Sequence, residues 1–334
     1  MTAPVAIIGT TTWGTTRGII LARMNQPVRL LTRTSAEATE LNSQRRNPRF
    51  LPEIPFPSSL TVSSDIDEVV SPARLIILAV PSHRLRQNLL DIRDGISGGA
   101  IIVSAAKGLE LPAGKRMSQI LEEELPPDLH PGICVLSGPN LAKEIIEGKL
   151  ASTVIAGRES KNAEAAQATL MSSSFRVYTS DDVIGVELAG ALKNIIALGA
   201  GIADGLDVGQ NAKSAFLTRG LVEIARLGIA AGAHPLTFAG LAGLGDLLAT
   251  CASQLSRNRY VGEQLALGRS WPQIQKSMDN VVEGVNTTGA ALTMAAELDV
   301  EMPITQVTYR VLFESLSPQE AITELMERPA RSEW

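Results

Sequence analysis

Three charged side chains stand alone in stretches that are otherwise apolar or small. Between Gly95 and Leu109 the only ionisable group is Lys107; between Leu188 and Ala203 it is Lys193; between Pro235 and Ser256 the sole charged residue is Asp246. A charge that must be buried is costly unless it is paired. The economical reading is that Asp246 and one of the lysines satisfy each other across a shared site. A lysine in such surroundings shifts its pKa readily, which makes it a candidate proton donor or acceptor. The competing reading is structural: a buried bridge fixes packing, or the lysine stem lies in the core while its ammonium reaches water. Ser256-Arg257-Asn258-Arg259 closes the stretch around Asp246, and guanidinium forks beside an amide suit a phosphate dianion.

Two kinds of element must position these groups. The first half of the chain alternates short β-branched runs with helix-compatible segments: Val5 to Gly9, Val28 to Thr32, Thr61 to Ser63, Leu75 to Val80, Ile101 to Ser104, Ile133 to Ser137, Thr153 to Ala156 and Arg176 to Thr179. This is the pattern of βαβ units and a parallel sheet covered on both faces. Four prolines between Asn47 and Pro57 mark a loop or an edge excursion. After about Asp181 the strands stop, and 182–203, 213–231, 259–267, 287–298, 303–314 and 318–327 read as helices. The expected fold is α/β, with a Rossmann-like doubly wound domain over 1–180 followed by an all-α domain over 181–334 that binds substrate and carries the chemistry. Lys107 then falls just past the C-terminal end of a strand, in the ligand crevice of an open sheet. Lys193 falls on a helix that is apolar nearly all round, and such a helix is buried.

The first strand runs into Gly9-Thr10-Thr11-Thr12-Trp13-Gly14 and then a helix to about Asn25, the place where a doubly wound fold holds a dinucleotide pyrophosphate. Gly9 and Gly14 match the first and third glycines of G-x-G-x-x-G, and Thr11 stands at the second. The second strand ends at Arg33, where an acidic residue would hold the ribose 2′-hydroxyl of NAD. An arginine there can face a 2′-phosphate, so NADP should be accepted as well as NAD.

Composition removes the competing classes. The chain has 334 residues, 45% hydrophobic and 19% charged, enough for about two domains with real cores. Its net charge of −5 argues against a general affinity for nucleic acid, and 4% aromatics leave little material for base stacking. Cys134 and Cys251 are too sparse for a disulfide or metal framework, and point to a reducing, cytoplasmic setting. His83, His130 and His234 lie in loop contexts without metal-ligand spacing, so a proton donor must be sought elsewhere. The uncharged first 16 residues lack a basic start and are broken by glycines, so they do not read as a secretion signal. No run approaches about 18 uninterrupted apolar residues, so no membrane span is expected.

Taken in order, these segments resemble the bacterial-type NAD(P)-dependent glycerol-3-phosphate dehydrogenases. The likeness runs through Gly9 to Thr15, Ala79 to Ser82, Ser104 to Glu110, Leu136 to Asn140, Asp182 to Glu187, Lys193-Asn194, Ala239 to Leu247, Leu255 to Asn258, Val282 to Gly284 and Glu301 to Ile304. It implies interconversion of dihydroxyacetone phosphate and sn-glycerol 3-phosphate for glycerophospholipid synthesis, by a cytoplasmic homodimer. By that likeness Lys193 is the catalytic acid/base, Lys107 touches both substrate and nicotinamide, and Asp246 with Ser256, Arg257 and Asn258 binds substrate. Gly138 and Asn140 contribute to the substrate pocket. Gly9, Thr12, Trp13, Gly14, Arg33, Ala142, Val281 and Glu283 line the cofactor, with Lys107 and Arg257 also reaching it.

The sequence departs from the family pattern at Thr11, in place of the middle glycine, at Thr16, commonly alanine, and at Asn140, usually Ser or Thr. A β-branched residue at 11 is expected to crowd the pyrophosphate or push the turn outward. Two other readings stay open at this level: a related β-hydroxy-acid dehydrogenase of the same two-domain plan, and a non-catalytic NAD(P) sensor, suggested only by Thr11.

Overall fold

The computed structural model describes residues 3–278, 281–330 and 332–333. The chain divides into two units, Met1–Lys107 with Lys115–Glu187, and Gly108–Gly114 with Leu188–Trp334.

The first unit is built on β1 (Val5–Ile8), β2 (Val28–Leu31), β3 (Arg46–Asn47), β4 (Leu51–Pro55), β5 (Leu60–Ser63), β6 (Leu75–Leu78), β7 (Ile101–Ser104), β8 (Ile133–Ser137), β9 (Ala151–Gly157) and β10 (Phe175–Ser180). Eight of these form one sheet in the order β10-β9-β8-β7-β6-β1-β2-β5. Between them lie α1 (Thr12–Arg23), α2 (Ser35–Gln44), α3 (Ile66–Val70), α4 (Leu85–Ile92), α5 (Met117–Glu124), α6 (Ala142–Ile146) and α7 (Ser160–Leu170).

Alternation along each strand feeds two cores. Val5 and Ile7 of β1, with Leu75 and Ile77 of β6, pack under α1 and α7, whose Ile19, Leu21, Ala163 and Leu170 lie in the same cluster. Ala6, Ile8, Ile76 and Leu78 face the other way and meet Leu85, Leu89 and Ile92 of α4 and Ile120 and Leu121 of α5. A strand apolar at every position is what a sheet covered on both faces requires.

Two details differ from the sequence reading. The sheet is not wholly parallel, because β9 runs antiparallel to β8 while β10 returns parallel to β9. The proline-rich excursion forms its own two-stranded hairpin, β3 against β4, with Pro52 and Pro55 on a strand that pairs on one side only.

The second unit is helical: α8 (Val183–Gly205, which begins in the last residues of the first unit), α9 (Gln210–Ala230), α10 (Pro235–Ala239), α11 (Asp246–Ala252), α12 (Arg257–Ala266), α13 (Trp271–Lys276), α14 (Glu283–Glu297), α15 (Pro303–Phe313) and α16 (Pro318–Met326). From Leu188 to Leu198 the apolar side chains of α8 are fully buried. Leu198 and Ile202 enter a core with Val261 and Leu265 of α12, Val285 of α14 and Val311 and Leu312 of α15. The crossing of α8 and α12 is close: a Cβ on Gly262 would lie 2.0 Å from the Leu198 carbonyl oxygen, and one on Gly201 would lie 1.9 Å from that of Arg259. Only glycine fits at either point.

Among the described residues two stretches, Val183–Gly205 and Pro235–Ala252, are long and apolar enough to cross a membrane by length and composition alone. The first has 83% of its most apolar window buried inside the protein, as a core helix does. The second is no continuous helix. Gly240 breaks it in extended backbone, and Leu241–Gly245 forms a π-turn before α11 begins.

Candidate active site

In the first unit the expected cofactor residues gather at the C-terminal edge of the sheet. β1 is followed by Gly9, whose φ of +109° is open to glycine and strained for other residues. A Cβ on Gly14 would lie 2.1 Å from the Gly9 carbonyl oxygen, so the turn closes only because both are glycine. Thr11 is the N-cap of α1: its hydroxyl accepts from the Gly14 N–H at 3.1 Å and donates to the Ala79 carbonyl at 2.8 Å. The Thr11 hydroxyl is thus spent inward as a helix cap. The N–H groups of Thr12 and Trp13, in the first turn of α1, have no acceptor inside the helix and carry the positive end of its dipole. That cradle fits a dinucleotide pyrophosphate. Arg33 lies exposed just past β2, and Ala142 opens α6.

Further along the same edge, Lys107 Nζ donates to the carbonyl of Gly138 at 2.8 Å, which joins the segments following β7 and β8. Gly138 has φ +143°, and Asn140 Nδ2 donates to Thr153 Oγ1 at 2.9 Å. Ser104 Oγ, Ser137 Oγ and Asn140 Oδ1 are buried with no hydrogen-bond partner. A buried polar atom left unpaired costs about 1–3 kcal/mol, and three at adjoining strand ends mark a place prepared for a polar guest.

The second unit assembles the other set. Lys193 and Asp246 are 5% and 2% exposed, and Lys193 Nζ donates to Asp246 Oδ1 at 2.7 Å. Asp246 begins α11 directly after the π-turn, where a carboxylate is favoured by the helix dipole. Such turns often accompany functional sites because they displace one residue from the helical register. Thr250, one turn further on, completes the arrangement: its hydroxyl accepts from Lys193 Nζ and donates to Asp246 Oδ1 at 3.3 Å. Sequence reasoning missed Thr250. Its signal was the i, i+4 spacing from Asp246, which places both on one helix face.

Asn194, Asn258 and Gly284 form a second chain of bonds. Asn258 Nδ2 donates to Asn194 Oδ1 at 2.9 Å, and Asn258 Oδ1 accepts from the Gly284 N–H at 3.0 Å. The second amide hydrogen of Asn258 takes no part in these two bonds. Ser256 is the N-cap of α12, accepting from the Arg259 N–H at 3.3 Å. Arg257 follows at the first helical position, exposed and within the electrostatic reach of Glu283. Glu283 opens α14, two residues after Val281. Arg259 turns away to Asp204 at 2.6 Å. Burial would raise the Asp204 carboxyl, but Lys213 and Arg259 outweigh it and hold the pKa below its ordinary value.

The remaining nucleophiles are quiet. Cys134 and Cys251 are buried and unpaired, and burial pushes both thiols up to about 12. A cavity of about 600 Å³ in the second unit is walled mainly by apolar residues of α9, α15 and α16 and touches none of the residues above.

Known proteins match both halves. Residues 4–163 match the N-terminal part, and residues 182–323 the C-terminal part, of NAD-dependent glycerol-3-phosphate dehydrogenase. A glycerol-3-phosphate dehydrogenase [NAD(P)+] of Dehalococcoides mccartyi is 51% identical over 98% of this chain and 92% of its own. That of Chlorobium limicola is 44% identical over 98% and 99%. The crystal structure of glycerol-3-phosphate dehydrogenase from Coxiella burnetii superposes with a TM-score of 0.91 at 36% identity, covering 98% of this chain and 99% of that one. With a glycine-turn cradle in one unit and a buried Lys193–Asp246 pair in the other, the chain belongs to the NAD(P)-dependent glycerol-3-phosphate dehydrogenase family, a Rossmann-like oxidoreductase domain joined to a helical one.

Proposed function

We propose that the reaction of the family, reduction of dihydroxyacetone phosphate to sn-glycerol 3-phosphate, is carried in this chain by Lys193. The observation that supports this most is the buried group of Lys193, Asp246 and Thr250. The bound nicotinamide supplies the hydride that reduces the ketone carbon. As the ketone oxygen gains the electron pair, the Lys193 ammonium stabilises the charge and then gives up the proton that completes the alcohol. Asp246 and Thr250 hold the ammonium in place. In the reverse direction Lys193 takes that proton back.

The substrate phosphate is read at the N-terminus of α12. There Arg257 supplies a guanidinium, Asn258 one amide hydrogen and Ser256 its hydroxyl hydrogen, beside N–H groups of the first helical turn. Lys107, Gly138 and Asn140 form the remaining substrate contacts, with Lys107 shared with the nicotinamide. Gly9, Thr12, Trp13, Gly14, Arg33, Ala142, Val281, Glu283 and Arg257 hold NAD or NADP. In this reading residues 1–180 form the dinucleotide domain and 181–334 the substrate domain. The sensor reading rested on Thr11 alone, and the Thr11 hydroxyl has a local role as the α1 cap.

The chain is further proposed to act as a cytoplasmic homodimer that feeds glycerophospholipid synthesis. Two buried free thiols suit a reducing compartment, and the exposed Leu236, Leu244, Leu248 and Leu255 offer a second copy an apolar surface. Substitution of Lys193→Ala should remove oxidation of NADH and NADPH with dihydroxyacetone phosphate while the circular dichroism spectrum is retained. Activity within tenfold of the parent would overturn the assignment.

A further inference from the structure

The end of β2 holds a second charge that the arginine there conceals. Glu37, in the first turn of α2, does not stay on its own helix. Its Oε1 accepts from the Thr10 hydroxyl at 2.6 Å, and its Oε2 lies 3.4 Å from the backbone N–H of Arg33. Thr10 belongs to the Gly9–Gly14 turn that follows β1, and Arg33 follows β2. Since β1 and β2 are parallel neighbours with Ile8 opposite Leu31, both segments leave the sheet at the same edge. A carboxylate that bridges them occupies the place where a doubly wound fold receives the 2′ position of the adenosine ribose.

We propose that Glu37 is the residue that sets the choice between NADH and NADPH in this chain, favouring the cofactor with a free 2′-hydroxyl. The inference rests on the cofactor reading given above. A carboxylate accepts a hydrogen bond from a ribose hydroxyl and repels a 2′-phosphate. Arg33 acts in the opposite sense, and its exposed side chain can follow a phosphate outward. Two opposed charges at one position explain how both cofactors are accepted while one is preferred. Ordinary helix capping would place Glu37 differently. Thr34 is the N-cap and accepts from the Glu37 N–H at 3.2 Å, so a capping box would return the Glu37 carboxylate to the backbone N–H of Thr34. Instead it reaches one residue further, to Arg33, and across to the neighbouring turn.

The test is the ratio of KM values for NADPH and NADH, with dihydroxyacetone phosphate saturating, in the parent and in Glu37→Gln, Thr10→Val and Arg33→Ala. The parent should show the lower KM for NADH. Glu37→Gln should lower the NADPH to NADH ratio about tenfold, as removal of one like charge at close range predicts. Thr10→Val, which frees the carboxylate to swing away, should give a smaller shift in the same direction, and Arg33→Ala a rise in the ratio. A ratio unchanged within twofold in Glu37→Gln, whether or not the melting temperature falls, overturns the proposal and leaves Glu37 a capping residue. Calorimetric titration with each cofactor gives the same ratio without turnover. A shift seen there in a protein that does not reduce dihydroxyacetone phosphate would support Glu37 and overturn the functional reading instead.

Discussion

The Lys193–Asp246 pair makes a prediction in which stability and activity move apart. Both side chains are almost fully buried, at 6% and 3% side-chain exposure, and only 2.7 Å separates Nζ from Oδ1. Replacing one partner takes this ion pair away from a charge that stays buried, and loss of one member of a buried pair costs about 3–5 kcal/mol. Removing both charges together leaves no orphaned charge, and apolar residues of similar size are often neutral or stabilising in that setting. Asp246→Leu and Lys193→Met should each therefore be much less stable than the parent, while the double variant should recover most of the loss and remain inactive. For a unit of about 150 residues, 3–5 kcal/mol corresponds to a fall of roughly 6–20 °C in melting temperature. Differential scanning calorimetry of the four proteins gives the cycle, and NADH oxidation with dihydroxyacetone phosphate gives the activity. If the two single losses simply add in the double variant, the charges do not compensate each other. The account of why they are buried together would then be refuted.

Two further expectations follow from individual contacts. Thr11→Ala removes the α1 cap and the bond to Ala79, and should cost about 1 kcal/mol, whereas Thr11→Gly should cost only a few tenths; thermal melts of both variants check the order. Glu223 is buried and accepts from the N–H groups of Ile304 and Thr305 and from the Thr305 hydroxyl, yet burial dominates and raises its pKa. A carboxyl that binds its proton more tightly when folded favours the native state at low pH, and this contribution is lost as pH rises from the ordinary Glu value through the raised one. Glu223→Gln should flatten that part of the pH dependence of the melting temperature, and an unchanged slope would count against it.

The elements that were legible were those written in strong local patterns. The eight sheet strands show as β-branched runs, and the long helices as periodic or wholly apolar segments with Ser, Thr, Asp or Pro at their starts. The direction of β9 was not legible, because strand pairing is a long-range property that composition does not encode. The path from Pro235 to Ala252 was hidden for a different reason: Gly240, Gly243 and Gly245 interrupt the apolar period, and a π-turn has no sequence rule of its own. For the site, charge isolation pointed to Lys107, Lys193 and Asp246, since a lone charge in an apolar stretch must be paid for somewhere. The neutral partners Thr250 and Asn194, and the carboxylate of Glu37, give no such signal, being ordinary residues whose meaning lies in what the fold sets beside them. Arg17 was likewise silent. It is buried against the Phe175 ring at 4.3 Å, with its pKa lowered by burial to about 10.

The glycine contact between α8 and α12 sets a length as well as a packing. Lys193 and Asn194 lie about two turns before Gly201 on one helix, and Arg257 and Asn258 about one turn before Gly262 on the other. The spacing of those two pairs of residues is therefore gauged by two side chains that are missing. A single methyl group at either glycine would act as a shim, prising the helices apart at their point of contact and shifting Lys193 and Asn194 against Arg257 and Asn258. On the proposed function, the reach of the site is set at a position that touches no substrate.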